Sequence, residues 1–279
     1  MMLPLPSSLS PSKLSSFTSC GLQFRFANVD RLPEKPTIPT SRGTLVHAAL
    51  EHLFTLPPDE RVPEVGDQCV EVALAAYRDD PEWTGLELDA ATEAEIVAEA
   101  KRLVANEFAL EDPRSVVPVG LELRLEAEIG GLRLRGIIDR LELVDGELVV
   151  TDYKTGRAPS DHAAGARMQG VHVYSLLCEK SFGRRPVRVQ LLHLAEPEAI
   201  SAVPTEQSTR ALERRLGAVW AAVETACEHD DFRPRPSPLC DWCSFKQWCP
   251  SFGGDPDRAR IDLQVEERSA EGQVPLLHA

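Results

Sequence analysis

The stretch GIIDRLELVDGELVVTDYKTG, residues 136–156, arranges two aspartates and a lysine in a pattern able to hold a cation and a phosphate. Asp145-Gly146 between two apolar runs is the signature of a two-residue hairpin turn. With that turn Val144 pairs with Glu147, and counting outward sets Asp139 opposite Asp152 and Ile137 opposite Lys154. Side chains alternate along a strand, so Ile137, Asp139, Leu141 and Leu143 share a face with Leu148, Val150, Asp152 and Lys154. That face is mostly apolar and is expected to be the buried one. Two carboxylates opposed there, with Cβ atoms about 4.5–5.5 Å apart, repel each other and resist desolvation. A shared proton, an arginine (Arg135 or Arg140) or a divalent cation would compensate, and carboxylates with water are how Mg²⁺ is usually held. Lys154 is placed to bind a phosphate oxygen or orient a water.

A second constellation lies near the C-terminus. Cys240, Cys243 and Cys249, followed by Pro250, form a C-x2-C-x5-C-P array that wants a fourth ligand from Cys20, Cys69, Cys178 or Cys227. Spacing alone fits a four-cysteine zinc site as well as an iron–sulfur cluster.

The elements that must position these groups read clearly. Ser10 before Pro11 caps a short helix over residues 8–20, the Pro- and Thr-rich 31–42 is a loop, and 44–54 has helical spacing. Residues 66–78 and 90–110 are acidic amphipathic helices with Leu74, Ile96, Val97, Leu103, Val104 and Phe108 on their core side. Strands follow at 120–129, 131–144 and 147–154, then a helix over 163–182, strands at 186–195 and 200–204, and a long helix over 206–229. A polar, acidic tail from 254 to 279 is expected to be disordered. No internal repeat, glycine-rich phosphate loop or GxSxG elbow is present, which argues against an ATP-driven motor and an α/β-hydrolase.

The 279 residues carry a net charge of −14, which at first argues against a nucleic-acid partner. Residues 57–113 account for −12 of it and 254–279 for −3, so the rest of the chain is near neutral and can still carry a basic groove. No apolar run nears the roughly 20 residues of a membrane span, and the first residues lack the pattern of a secretory signal. The expectation is a cytoplasmic protein whose seven cysteines are thiols or metal ligands.

Gly136-Ile137-Ile138-Asp139-Arg140 followed by Asp152-Tyr153-Lys154-Thr155-Gly156 resembles the active-site strands of PD-(D/E)xK nucleases, specifically the RecB-like branch. GTLVHAALE, residues 43–51, resembles that branch's helix motif, whose histidine is here His47. Gln169 matches the glutamine of the helix after the Asp-x-Lys strand, and with Arg140 it is the candidate substrate contact. The aromatic that usually follows four residues later is Val173 here; Tyr174 comes one later, about 140° round the helix from Gln169.

The resemblance implies a restriction-endonuclease-like α/β core, a central mixed sheet flanked by helices. It implies Mg²⁺ or Mn²⁺ held by His47, Asp139, Asp152 and the backbone carbonyl of Tyr153, with Lys154 acting on the attacking water and Glu122 beside the ligands. The iron–sulfur subset, which includes AddB-type and CRISPR-associated adaptation nucleases, takes one cysteine from the N-terminal helix and three from the C-terminal end. Cys20 fits that place, although Gly21 stands where proline often follows. The resemblance therefore implies a [4Fe–4S] cluster on Cys20, Cys240, Cys243 and Cys249, with structural zinc as the alternative.

The expected organisation is a single nuclease domain over 1–253, with an acidic helical insert at 57–113 and the cysteine array at 236–250. The expected activity is DNA cleavage in repair or recombination, as an exonuclease on single-stranded or free-ended DNA, with a helicase or another repair protein as partner and no membrane. A CRISPR spacer-processing nuclease and a non-catalytic iron–sulfur DNA-binding protein are the alternatives.

Overall fold

The computed structural model describes residues 2–158 and 161–263, the side chains of 161–171 excepted. The helices are α1 (Pro11–Ser19), α2 (Gly21–Phe24), α3 (Ile38–Thr55), α4 (Pro63–Tyr77), α5 (Pro81–Thr84), α6 (Ala90–Leu110), α7 (Asp161–Phe182) and α8 (Glu206–His229). The strands are β1 (Pro118–Ile129), β2 (Leu132–Val144), β3 (Glu147–Lys154), β4 (Arg188–His193) and β5 (Glu198–Ala202). None of the described helices is long and apolar enough to cross a membrane.

The chain divides into two compact units, Pro36–Gly217 and the pair of segments Met1–Lys35 and Ala218–Ala279. The first unit holds the sheet, in strand order β1-β2-β3-β4-β5. Only β3 and β4 run parallel, so the sheet is mixed, and the helix α7 makes the crossover that a parallel pair requires. Asp145 and Gly146 both adopt positive φ, 53° and 81°, as the expected type I′ turn demands. The β2–β3 ladder pairs Val144 with Glu147 and runs in the expected register to Arg140 and Thr151, one step short of the two aspartates.

Burial along this hairpin departs from the expected pattern. Residues 148–153 are all buried, because β3 is the central strand. On β2 the buried positions are Leu132, Leu134, Gly136, Ile138, Arg140, Leu141 and Glu142, so Leu141 is buried as expected, whereas Ile137 and Leu143 are exposed. Before Arg140, β2 pairs with β1 alone, and α7 presses on its Gly136 side, leaving Ile137 to solvent. Any side chain at Gly136 would meet Leu177 Cδ1 at 2.7 Å and the Tyr174 ring at 3.1 Å.

Helices α3, α4 and α6 pack one core against the sheet, built from Leu45, Leu50, Phe54, Val70, Leu103, Val104 and their neighbours and closed by Tyr153 and Leu192. The acidic segment thus forms the two expected amphipathic helices, with Leu74, Ile96, Leu103 and Val104 inward. Helix α3 starts six residues earlier than the spacing suggested. Thr37 caps it by accepting from the Thr40 N–H, and Pro39 fits its first turn, so residues 38–42 are helix and not loop.

The second unit has an aromatic core of Phe24, Phe26, Phe232, Phe245 and Trp248, with Leu22, Val223 and Cys227. Ser10 caps α1 as expected, accepting from the Lys13 N–H. The segment expected to be disordered from 254 is structured at its start. Ala259 is fully buried in the aromatic core and Trp248 Nε1 donates to Asp262 at 3.0 Å. Residues 264–279 lie outside the described part.

Candidate active site

Three strands and one helix converge on Asp139. The register on either side of Glu122, Leu121 with Arg140 and Leu123 with Ile138, leaves Glu122 facing Asp139 across β1 and β2. Glu122 has φ +43°, a left-handed conformation costing about 1–2 kcal/mol in a non-glycine residue. Strain of this kind concentrates at functional sites.

His47 Nδ1 lies 3.5 Å from Asp139 Oδ2 and 3.7 Å from Glu122 Oε1. One ligand atom from each of His47, Glu122 and Asp139 lies within 4.8 Å of the others. Asp139 Oδ2 also accepts the backbone N–H of Tyr153 at 2.6 Å, which ties the middle of β2 to the end of β3.

Asp152 is buried and forms an ion pair with the partly exposed Lys154. Its Oδ2 has no hydrogen bond of good geometry among the described residues. The Tyr174 hydroxyl bonds to the Asp152 carboxylate, and burial together with the Asp152 and Asp139 charges drives that phenol well above its usual value. Successive residues of β3 point to opposite faces, so α7 covers the Asp152 face while α3 and α6 cover the Tyr153 face.

Charge in this cluster is crowded. Burial, then the neighbouring Asp152 charge, raises the Asp139 carboxyl from 3.8 to about 7. Burial opposes protonation of His47, yet the hydrogen bond to Glu122 and the charges of Asp139, Glu122 and Asp152 raise it overall. A buried carboxylate oxygen whose near partner is the mobile Lys154 ammonium, a carboxyl raised to about 7 and an imidazole among three acids form an O,N donor set that suits a hard divalent cation.

The structure gathers His47, Asp139, Asp152 and Lys154 as expected and brings Glu122 into direct reach of the ligand atoms. The Tyr153 backbone lies between Asp152 and Lys154, in register with Leu192 of β4. Gln169 lies on α7, with its side chain outside the described residues.

Arg140 requires a correction. It was expected to contact substrate or to pair with an aspartate, but it is fully buried on the Tyr153 face. Its guanidinium bonds the Tyr153 hydroxyl at 2.6 Å, Glu107 at 3.3 Å, Glu142 at 3.4 Å and Glu111, and stacks 4.6 Å from the Phe54 ring centroid. With both terminal nitrogens taken up inside the core and no exposed surface, it is unavailable to substrate. Arg135 pairs with Glu126 and also leaves the aspartates alone.

Tyr174 and Glu107 are the residues that sequence reasoning missed. Tyr174 lies off the Gln169 face yet reaches Asp152, because Gly136 lets α7 approach. Glu107 had only its place on the inner face of a helix to mark it.

In the second unit Cys20, Cys240, Cys243 and Cys249 line one small cavity of about 30 Å³, walled by Leu22, Phe26, Phe245 and Phe252. Backbone N–H groups of Arg235 and Ser237 point at the sulfurs of Cys20 and Cys240, at 3.4 and 3.3 Å. Burial, with the other three cysteines adding to it, pushes the Cys243 thiol up. The donor set is four thiols in an apolar pocket.

Residues 8–250 match the family model of the PD-(D/E)XK nuclease superfamily. The chain belongs to that superfamily. The matched range runs through both units. A Mycobacterium phage L5 protein, Gene 69 protein, is 32% identical over 135 residues, 47% of this chain and 44% of its own length. Its namesake from Mycobacterium phage D29 is 24% identical over 266 residues, 87% of this chain and 96% of that one. The fold is similar to that of a candidate exonuclease from Eubacterium rectale, with TM-score 0.52 and 13% identity over 85% of this chain and 92% of that one.

Proposed function

We propose that this nuclease-superfamily chain is a divalent-metal-dependent DNA nuclease of the RecB-like branch, acting as an exonuclease on single-stranded or free-ended DNA in repair or recombination. The observation that carries the reading is the convergence of His47, Glu122, Asp139 and Asp152 with Lys154 where β1 and β2 meet the end of β3. His47, Asp139 and Asp152 would hold Mg²⁺ or Mn²⁺, with Glu122 and the Tyr153 carbonyl available beside them. When bound, such an ion lowers the pKa of coordinated water and neutralises charge on a phosphodiester. Tyr153 N–H fixes the Asp139 carboxylate, Tyr174 orients Asp152, and Lys154 stands where it can turn from Asp152 to a phosphate oxygen or the attacking water. The exonuclease name of the Eubacterium rectale protein agrees with this reading. We place the protein in the cytoplasm, on seven free cysteines.

For the cysteine pocket we favour [4Fe–4S] over zinc. What supports the cluster is that Cys20 from the N-terminal segment joins Cys240, Cys243 and Cys249 in one apolar pocket, the distribution of cysteines the iron–sulfur subset uses.

The test is digestion of end-labelled single- and double-stranded DNA by anaerobically purified protein with Mg²⁺, Mn²⁺ or neither. Metal-dependent loss of the label from free ends, absent in Asp152→Asn, is expected. Intact DNA with both metals would refute the reading.

A further inference from the structure

Beside His47 and Glu122 the surface opens into a groove of about 910 Å³ between α3 and β1, floored by Thr40, Gly43 and Thr44 and walled by Leu121 and Arg124. Its other charged lining groups are the acids Glu51 and Glu122. Arg124 is therefore the one guanidinium or ammonium in that lining, and it is exposed. It makes no ion pair among the described residues, in contrast to Arg133 and Arg135 nearby, which both pair with Glu126. An exposed guanidinium with no ion pair is available to an anion brought from outside, and its planar fork matches phosphate.

Position fixes which phosphate. Arg124 is two residues beyond Glu122 on β1, about 6.8 Å along the strand. Glu122 is level with Asp139 across the sheet, whereas Arg124 pairs with Ile137, so the guanidinium is displaced along β1 from a diester reacting at Asp139 and Asp152 and meets the neighbouring link of the same strand. The volume is near the upper end of small-molecule sites and the groove is open, as a polymer requires.

We propose that Arg124 binds the phosphate adjacent to the scissile one, so that the groove recognises a phosphodiester strand and not an isolated diester. This rests on the nuclease reading of the neighbouring site.

Wild type, Arg124→Ala and Arg124→Lys are compared on a single-stranded oligonucleotide and on thymidine 5′-(p-nitrophenyl phosphate), which has one diester and no neighbour. Metal-free binding of the oligonucleotide is followed by fluorescence anisotropy. Arg124→Ala should raise the oligonucleotide KM and Kd about tenfold with kcat within twofold, and reduce the salt dependence of binding by about 0.7 in log–log slope. Arg124→Lys should recover most of the affinity, and the single-diester substrate should be hydrolysed at the wild-type rate. Equal losses on both substrates, a fall in kcat alone, or unchanged Kd would overturn the proposal. Wild type that binds DNA but cleaves neither substrate would sink the nuclease reading and leave anisotropy to judge Arg124. Wild type that neither binds nor cleaves would overturn both.

Discussion

Replacing Asp139 with asparagine should stabilise the metal-free protein at pH 8. Burial and the Asp152 charge hold the Asp139 carboxyl at about 7, against 3.8 for an ordinary aspartate. The shift is about 3 units at about 1.4 kcal/mol each, so ionising this group opposes folding by at most about 4 kcal/mol. Between about pH 3.8 and 7 the folded chain holds the proton that the unfolded chain has lost. Stability therefore falls as pH rises through that window and levels off above it. Asparagine has no charge to desolvate and keeps an oxygen for the Tyr153 N–H. Allowing for the weaker bond to an amide, the gain at pH 8 is about 2–4 kcal/mol, and it shrinks towards zero near pH 4. Urea unfolding with a chelator at pH 4.5 and 8 measures both values. Mn²⁺ should then reverse the order, since only the native site gains from binding. A variant less stable than wild type by more than about 1 kcal/mol at pH 8, or an equal gain at both pH values, would show that the Asp139 carboxylate is a structural partner.

Lys154→Ala should lower single-turnover cleavage by about 10² or more, the range of a positioned proton-transfer or electrostatic group, with DNA affinity reduced at most about tenfold. Wild-type turnover by the variant at saturation would make Lys154 a binding residue only. Anaerobically purified protein should be brown and Cys243→Ser should bleach it; a colourless protein with one equivalent of zinc would reverse the choice of metal. Burial and the Glu111 charge push the Glu107 carboxyl well up, which favours its neutral form, so Glu107→Gln should change stability by less than about 1 kcal/mol. Glu107→Ala should cost about 2–4 kcal/mol by denaturant unfolding, and equal effects from the two would refute a neutral Glu107.

The hairpin was legible because Asp145-Gly146 dictates one turn type, and a turn dictates register. His47, Asp139, Asp152 and Lys154 could be named from short motifs for that reason. Burial along β2 could not be read the same way. Whether Ile137 faces solvent depends on where β3 stops pairing and where α7 lands, and both are set by residues far away in sequence. Glu122 was readable as a nearby acid but not as a ligand-distance group, since nothing in the strand pattern signals its left-handed φ or its register against Asp139. Tyr174 failed on helix geometry: Gln169 was taken to mark the active face, whereas Gly136 lets the neighbouring face touch Asp152.

Arg140 shows most clearly how neighbouring residues divide the chemistry. Asp139 turns to His47 and Glu122, and its neighbour Arg140 turns to Tyr153, Glu107 and Phe54, where water cannot reach it. An unpaired buried cation there would be worth several kcal/mol of instability, so the chain must bring acids to it. Glu107 and Glu111 come from α6 and its C-cap, and Glu142 from β2 itself. Three full negative charges around one guanidinium would repel in turn. Burial relieves this by pushing both Glu107 and Glu142 up towards their neutral forms. The Tyr153 hydroxyl completes the set, donating to Glu107 at 3.3 Å while accepting from Arg140. Tyr153 is thereby held at both ends, its N–H by Asp139 and its hydroxyl by Arg140 and Glu107. The acidic helices of 57–113, which carry none of the proposed catalytic groups, thus supply the charge that lets β2 and β3 keep their spacing beneath Asp139 and Asp152.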